Sequence, residues 1–171
     1  MIKTRFNYLI YFLALFIGHS TYILSPNTIT FAQQQNQPQD LQIKIYLIAD
    51  DDDGKLGKKI GCGDSLVPIT KTVKNTSAPL KTVIEELLSI PADYNENPQL
   101  HNYWKGTNLK VTNVSIKSGI ATINITGNLS VAGICDEPRI VSQIEETAKQ
   151  LPEVKKVKVF VNKRPLAEAI R

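Results

Sequence analysis

Cysteine is scarce in this sequence. Cys62 and Cys135 are the only two in 171 residues, and they lie far apart along the chain. A structural zinc site needs four closely spaced sulfur or nitrogen ligands. Histidine cannot make up the shortfall, because the chain has only His19 and His101. Gly54, Gly57, Gly61 and Gly63 are not followed by the Lys-Ser/Thr of a phosphate-binding loop, nor set between a strand and a helix. A nucleic-acid footprint needs a clustered basic face. The one Lys-rich run, Lys155, Lys156, Lys158, Lys163 and Arg164, reads as the solvated side of a strand. Metal-cluster, nucleotide-phosphate and nucleic-acid functions therefore have little to stand on, and no cofactor is expected.

The one strongly apolar run lies at the start. Lys3 and Arg5 precede YLIYFLALFI, Tyr8 to Ile17. A basic start followed by about ten apolar residues matches a secretory signal, and Ala32 offers a cleavage site. The same stretch reads alternatively as an uncleaved membrane anchor, although Gly18, His19, Ser20 and Thr21 interrupt it short of the ~20 apolar residues of a spanning helix. Residues 1–32 are thus a signal or anchor, the only expected membrane contact, and the rest is exported. With Lys3 and Arg5 set aside, 18 of the 20 basic residues face all 16 acids, so the exported part is nearly neutral despite a sequence pI of 9.0. No cysteine closely follows the apolar run to accept a lipid. Residues 33–41, opening with QQQNQPQD, form a polar linker that cannot bury anything.

Beyond the linker the periodicities are readable. Gln42 to Ile48 alternates as a strand. Asp50 to Gly63 is a charged, Gly-rich loop. Leu66 to Val73 is a second strand, placed at an edge or bulge by Pro68, which has no N–H to donate. Ser77 as cap and Pro79 in the first turn start a helix whose stripe is Leu80, Val83, Ile84, Leu87 and Leu88. Asn108 to Asn128 is a β-hairpin turning at Lys117-Ser118-Gly119. Its first strand changes parity: Leu109 and Val111 are odd, Val114 and Ile116 even. A bulge at Thr112-Asn113 would put all four on one face. Asp136 caps a second helix with Ile140, Val141, Ile144, Ala148 and Leu151 on its buried side. Val154 to Asn162 is the last strand, with Val157, Val159 and Val161 opposite Lys156, Lys158 and Phe160. The order β-β-α-β-β-α-β predicts an α+β domain over residues 42–165, a single sheet with both helices on one face, followed by a tail at 166–171.

Candidate chemistry is thin. Asp50 to Gly54 invites a calcium reading, but in EF-hand register the first and last ligand positions hold Ala49 and Ile60. Asp51 and Asp53 remain as a weak surface cation site. Cys135, at a helix N-terminus, would be a candidate thiolate with His101 as its only exported histidine partner. In an oxidising compartment the simpler outcome is a Cys62–Cys135 disulfide, with two unpaired thiols as the competitor. Tyr94, Tyr103 and Trp104 lie in a long polar-aromatic loop. They are candidate partner contacts or the walls of a ligand pocket, unless Trp104 folds back over the core.

The ordered series IYLIADDDDGKL, LVPITKTV, APLKTVIEELLSIP, GTNLKVTNVSIKSGIATINIT and IVSQIEETAKQLPEVKKVKVFVN resembles the GerMN domain of sporulation and germination proteins and related bacterial envelope lipoproteins. The resemblance spans about Ile43 to Val161. It implies a non-enzymatic, extracytoplasmic module that contacts other envelope proteins or copies of itself, with no catalytic residues to carry over. The face bearing Lys44, Tyr46, Lys156, Lys158 and Phe160 is the first candidate contact surface and the Trp104 loop the second. An envelope enzyme dependent on a thiol or metal, or a soluble ligand-binding protein, is the alternative.

Overall fold

The structure, a computed structural model, describes residues 40–171. The expected signal or anchor at 1–32 and nearly all of the linker lie outside the described residues. Ile43, Ile45 and Leu47 point inward along β1 (Leu41–Ala49), which starts at the residue expected to end the linker. The acidic loop follows, with a two-residue strand β2 (Lys58–Lys59) and a tight turn at Gly61–Gly63. β3 (Ser65–Val73) returns antiparallel to β1 and also pairs with β2, in the order β1-β3-β2. β2 reaches only Ser65 and Leu66, so Pro68 sits where the far edge of β3 is open, as its missing N–H requires.

Helix α1 (Pro79–Ser89) buries Leu80, Val83, Ile84 and Leu87. Its N-cap is Ala78 rather than Ser77; Thr76 Oγ1 accepts the Ala78 N–H at 3.1 Å. β4 (Gly106–Lys117) and β5 (Ile120–Leu129) form the expected hairpin, with Ser118 and Gly119 at positive φ in the turn. Val111 pairs with Ile125 but Asn113 with Asn124, so Thr112 is the extra residue of a bulge. Val114 and Ile116 then oppose Ile123 and Ala121, on the same face as Val111. A second register shift lies between Thr107 and Lys110.

Helix α2 (Asp136–Lys149) begins one residue earlier than expected. Cys135 holds the N-cap, and Asp136 instead accepts the Ala132 N–H at 2.7 Å, closing the preceding loop. The chain then enters β6 (Lys156–Val161), parallel to β5. The residues expected as a tail do not leave the domain: β7 (Arg164–Pro165) pairs with the end of β6, and α3 (Leu166–Ala169) folds back with Leu166 and Ile170 buried.

The α+β class and the order of the main elements hold, but the single sheet does not. β4-β5-β6-β7 is a sheet separate from β1-β3-β2. The two helices bridge them, α1 packing on β1 and β4 and α2 on β1 and β6. A strand cannot extend the sheet beyond β1 because α2 occupies that edge with side chains. Gln150 bonds both the N–H and the C=O of Lys44, Thr147 Oγ1 accepts the Tyr46 N–H, and Gln143 Nε2 donates to the Tyr46 carbonyl. The loop completes the row, Ile48 and His101 exchanging backbone bonds of 2.9 and 2.7 Å. Every edge group so paired avoids the cost of a buried, unmade hydrogen bond.

Candidate functional site

The acidic loop and the start of α2 are locked to each other. Cys62, on the Gly61–Gly63 turn, is disulfide-bonded to Cys135, with Cα atoms 5.8 Å apart. One turn into α2, Arg139 forks onto Asp64: Nε to Oδ2 at 2.5 Å and Nη2 to Oδ1 at 3.0 Å. Arg139 Nη1 also donates to Tyr103 Oη at 2.8 Å, and Tyr103 donates onward to Asp50 Oδ2 at 2.5 Å. Burial alone would raise the Asp64 carboxyl pKa. The Arg139 hydrogen bonds, the Asp51 N–H and the Arg139 charge outweigh it and hold the group below its ordinary 3.8. Burial and the Asp50 bond push the Tyr103 phenol upward, and the Asp64 bond keeps Arg139 charged. This is a cross-brace between loop and helix. With Cys135 oxidised, it is not the thiolate that the enzyme alternative required.

The structure does not bring Asp51 and Asp53 together into a cluster of cation ligands. Asp53 is bonded to Lys59, and Asp52 accepts the Leu56 N–H and the Ser65 hydroxyl, interactions that lower both carboxyl pKa values. Asp51 uses its backbone N–H on Asp64 and leaves its side chain in solvent. Among the described residues no three His, Cys, Asp or Glu side chains converge to hold an ion.

The aromatic loop separates into core and surface. Trp104 is 1% exposed and donates Nε1–H to the Ile140 carbonyl at 2.9 Å; Tyr103 is 7% exposed. Neither is a surface anchor or a pocket wall, because both are packed into the domain's core. Sequence reasoning missed the two amides that hold them. Buried Asn102 donates to the Leu87 and Ile90 carbonyls, which end α1, and accepts the Trp104 N–H. Buried Gln143 accepts the Tyr103 N–H at 2.8 Å and donates to Tyr46 and Asn102. Gln143 and Thr147 stand three and seven positions after Ile140, on the buried stripe of α2, which is the signal that could have found them. Tyr94 is half-buried, and its bond to Glu96 pushes the phenol up to about 12.

The candidate contact residues on strands do not share one face. Lys44 and Tyr46 belong to β1 in the first sheet, whereas Lys156, Lys158 and Phe160 belong to β6 in the second. On β6, Lys158 and Phe160 stand beside Thr122 and Asn124 of β5, and both lysines are exposed. β7 covers only Phe160 and Val161, leaving the earlier half of β6 as an open edge. Beside that edge runs a groove of about 430 Å³, lined by Val141 and Ile144 of α2, Val157 and Val159 of β6, and Pro165 and Leu166. These six residues give it an apolar wall, and Lys158 and Phe160 stand at its rim.

The fold is similar to solved domains. The first GerMN domain of the sporulation protein GerM from Bacillus subtilis is 20% identical with a TM-score of 0.54, the match covering 74% of this chain and 86% of that one. The tandem GerMN domains of the same protein give 21% identity and a TM-score of 0.55, covering 78% of this chain and 43% of that one. No curated protein matches the sequence. A family model described as Germane, sporulation and spore germination, matches residues 44–167. That span runs from β1 into α3 and takes in both sheets, the cross-brace and the groove beside β6, so this chain belongs to the Germane family of sporulation and spore germination domains.

Proposed function

We propose that this chain is a non-catalytic protein-interaction module working outside the cytoplasm, in the cell envelope. The observation that carries the reading is the use of polar groups. Asp64, Arg139 and Tyr103, and likewise Asn102 and Gln143, are bonded to each other inside the domain, whereas the exposed Lys156, Lys158 and half-exposed Phe160 stand on a strand beside an apolar groove. Charged and aromatic side chains around an apolar depression are what a protein partner engages. An extracytoplasmic site is supported by the Cys62–Cys135 disulfide, which persists in oxidising compartments, and by the basic start and apolar run of the sequence.

A photo-cross-linking residue placed at Lys158 of the full chain, in the native envelope, tests the reading. A discrete protein adduct at that position, absent when the residue is placed at Asn95 in the exposed loop, is the expected result. A chain that forms no adduct from Lys158, Phe160 or Lys44 counts against an interaction role.

A further inference from the structure

The domain treats its strand edges unequally. The β1 edge is closed by Gln143, Thr147, Gln150 and the His101 bridge. β3 carries Pro68, which has no N–H to offer, and β4 carries two register shifts along its length. Bulges and prolines are the devices that keep an edge from pairing. β6 has neither over Lys156–Val159. The Lys156 and Asn162 N–H groups both point to β5, bonding the Gly119 and Ile125 carbonyls. By the alternation of a strand, Lys158 and Phe160 face β5 likewise, and the backbone groups of Val157 and Val159 face the open side.

We infer that this open edge of β6 accepts an extended acidic segment of a partner protein as an added strand. The inference rests on the interaction role proposed above and assigns it a surface and a chemistry. An added strand would send alternate side chains to the two faces of the sheet. Those on one face meet Lys156 and Lys158; those on the other enter the groove against Val141, Ile144 and Leu166. The fitting segment therefore alternates acidic and apolar residues.

The local charge agrees with that occupant. Lys155, Lys156, Lys158, Lys163 and Arg164 outnumber Glu153 and Glu168 around β6, and Glu145 at the groove is already paired with Lys149. The same lysines argue against a second copy. Two β6 edges pairing antiparallel would set lysines against lysines, a destabilising arrangement. Lys156 and Lys158 thus discourage self-pairing while attracting an acidic strand.

The test uses purified full-length protein in mild detergent, uniformly ¹⁵N-labelled, and an acetylated, fluorescent Glu-Val-Glu-Val-Glu-Val peptide. Its Lys-Val counterpart and two versions N-methylated at alternate sets of residues serve as controls. Binding should slow amide hydrogen exchange at Val157 and Val159, fail with the Lys-Val peptide, and be abolished by one N-methylated set. The double variant K156E/K158E, changed only at exposed side chains, should lose about tenfold in affinity for the acidic peptide and gain affinity for the basic one. Unchanged exchange at Val157 and Val159, or equal binding of both N-methylated peptides, overturns strand addition. The two readings fail separately in the envelope. If the adduct from Phe160 persists undiminished in K156E/K158E, the edge inference is wrong and the interaction role stands. If the wild-type chain cross-links to nothing, the role itself falls.

Discussion

Gln143 Nε2 donates to the carbonyl of Tyr46 at 2.9 Å, so a helix closes the open side of a strand with a side chain. The same amide accepts the Tyr103 N–H at 2.8 Å. Gln143→Met keeps the volume and removes both bonds, leaving two backbone groups unpaired in the core. The expected loss is about 2–4 kcal/mol, read as a lower urea midpoint with an unchanged slope. Lys158→Met, on the exposed face of β6, should stay within about 0.5 kcal/mol of the native chain.

Asp64 should govern the acid limb of stability. Its folded pKa lies below the ordinary 3.8, so its stabilising contribution is complete above about pH 4–5 and is lost as pH falls through the lowered folded value. Asp64→Asn removes that dependence and leaves Arg139, only 13% exposed, without its bidentate partner. The variant should be less stable at pH 7 by about 3–5 kcal/mol and show a flatter decline between pH 5 and 2, measured as thermal midpoints across a pH series.

Closing a loop of 73 residues limits the unfolded chain more than the folded one. In the chain-entropy account a bond of this span stabilises by up to about 4 kcal/mol. The double variant C62S/C135S should unfold at a lower temperature than the oxidised native protein. Adding a reductant should change the native protein and leave the variant unmoved.

Trp104 is the only tryptophan, so its fluorescence reports one environment. Buried to 1% exposure, it should emit in the blue, resist quenching by acrylamide, and shift red only on global unfolding. Trp104→Ala should cost about 3–5 kcal/mol as a cavity in the core. An exposed anchor would instead be quenched freely in the folded protein.

Deleting Thr112 removes the bulge residue of β4. The pairing would become regular, and Val111 and Val114, then two positions apart, would still share one face, so the buried set is kept. The deletion removes only the exposed Thr112 Oγ1 bond to the Asn124 carbonyl, so denaturant titration should find a loss of no more than about 0.5–1.5 kcal/mol.

The parity change between Val111 and Val114 made the bulge readable, because a period of two leaves only one explanation for it. The helices were readable from Leu80 to Leu88 and Ile140 to Leu151 for the same reason: long stripes at helical spacing. Two sheets were not readable. Their separation depends on Gln143, Thr147 and Gln150 meeting a strand edge, and a polar residue on a helix looks the same in sequence whether it meets water or backbone. Trp104 stood in an aperiodic loop that held no information on burial. For the candidate site, Lys156, Lys158 and Phe160 were legible as the outer side of a strand. The groove beside them was not, since its far wall is made by Pro165 and Leu166, whose return onto β6 follows a turn too short to show a period.

The Cys62–Cys135 bond has a further consequence, for resistance to cutting. Everything from β3 to the loop after β5 lies inside the covalent ring, including the exposed Pro91–Gln99 stretch that a protease would reach first. A single cleavage there separates no fragments: β1 and the acidic loop stay tethered to α2, β6 and α3. On an electrophoresis gel such a nicked molecule would keep its full mass until the sulfur bridge is reduced, and only then fall into two pieces.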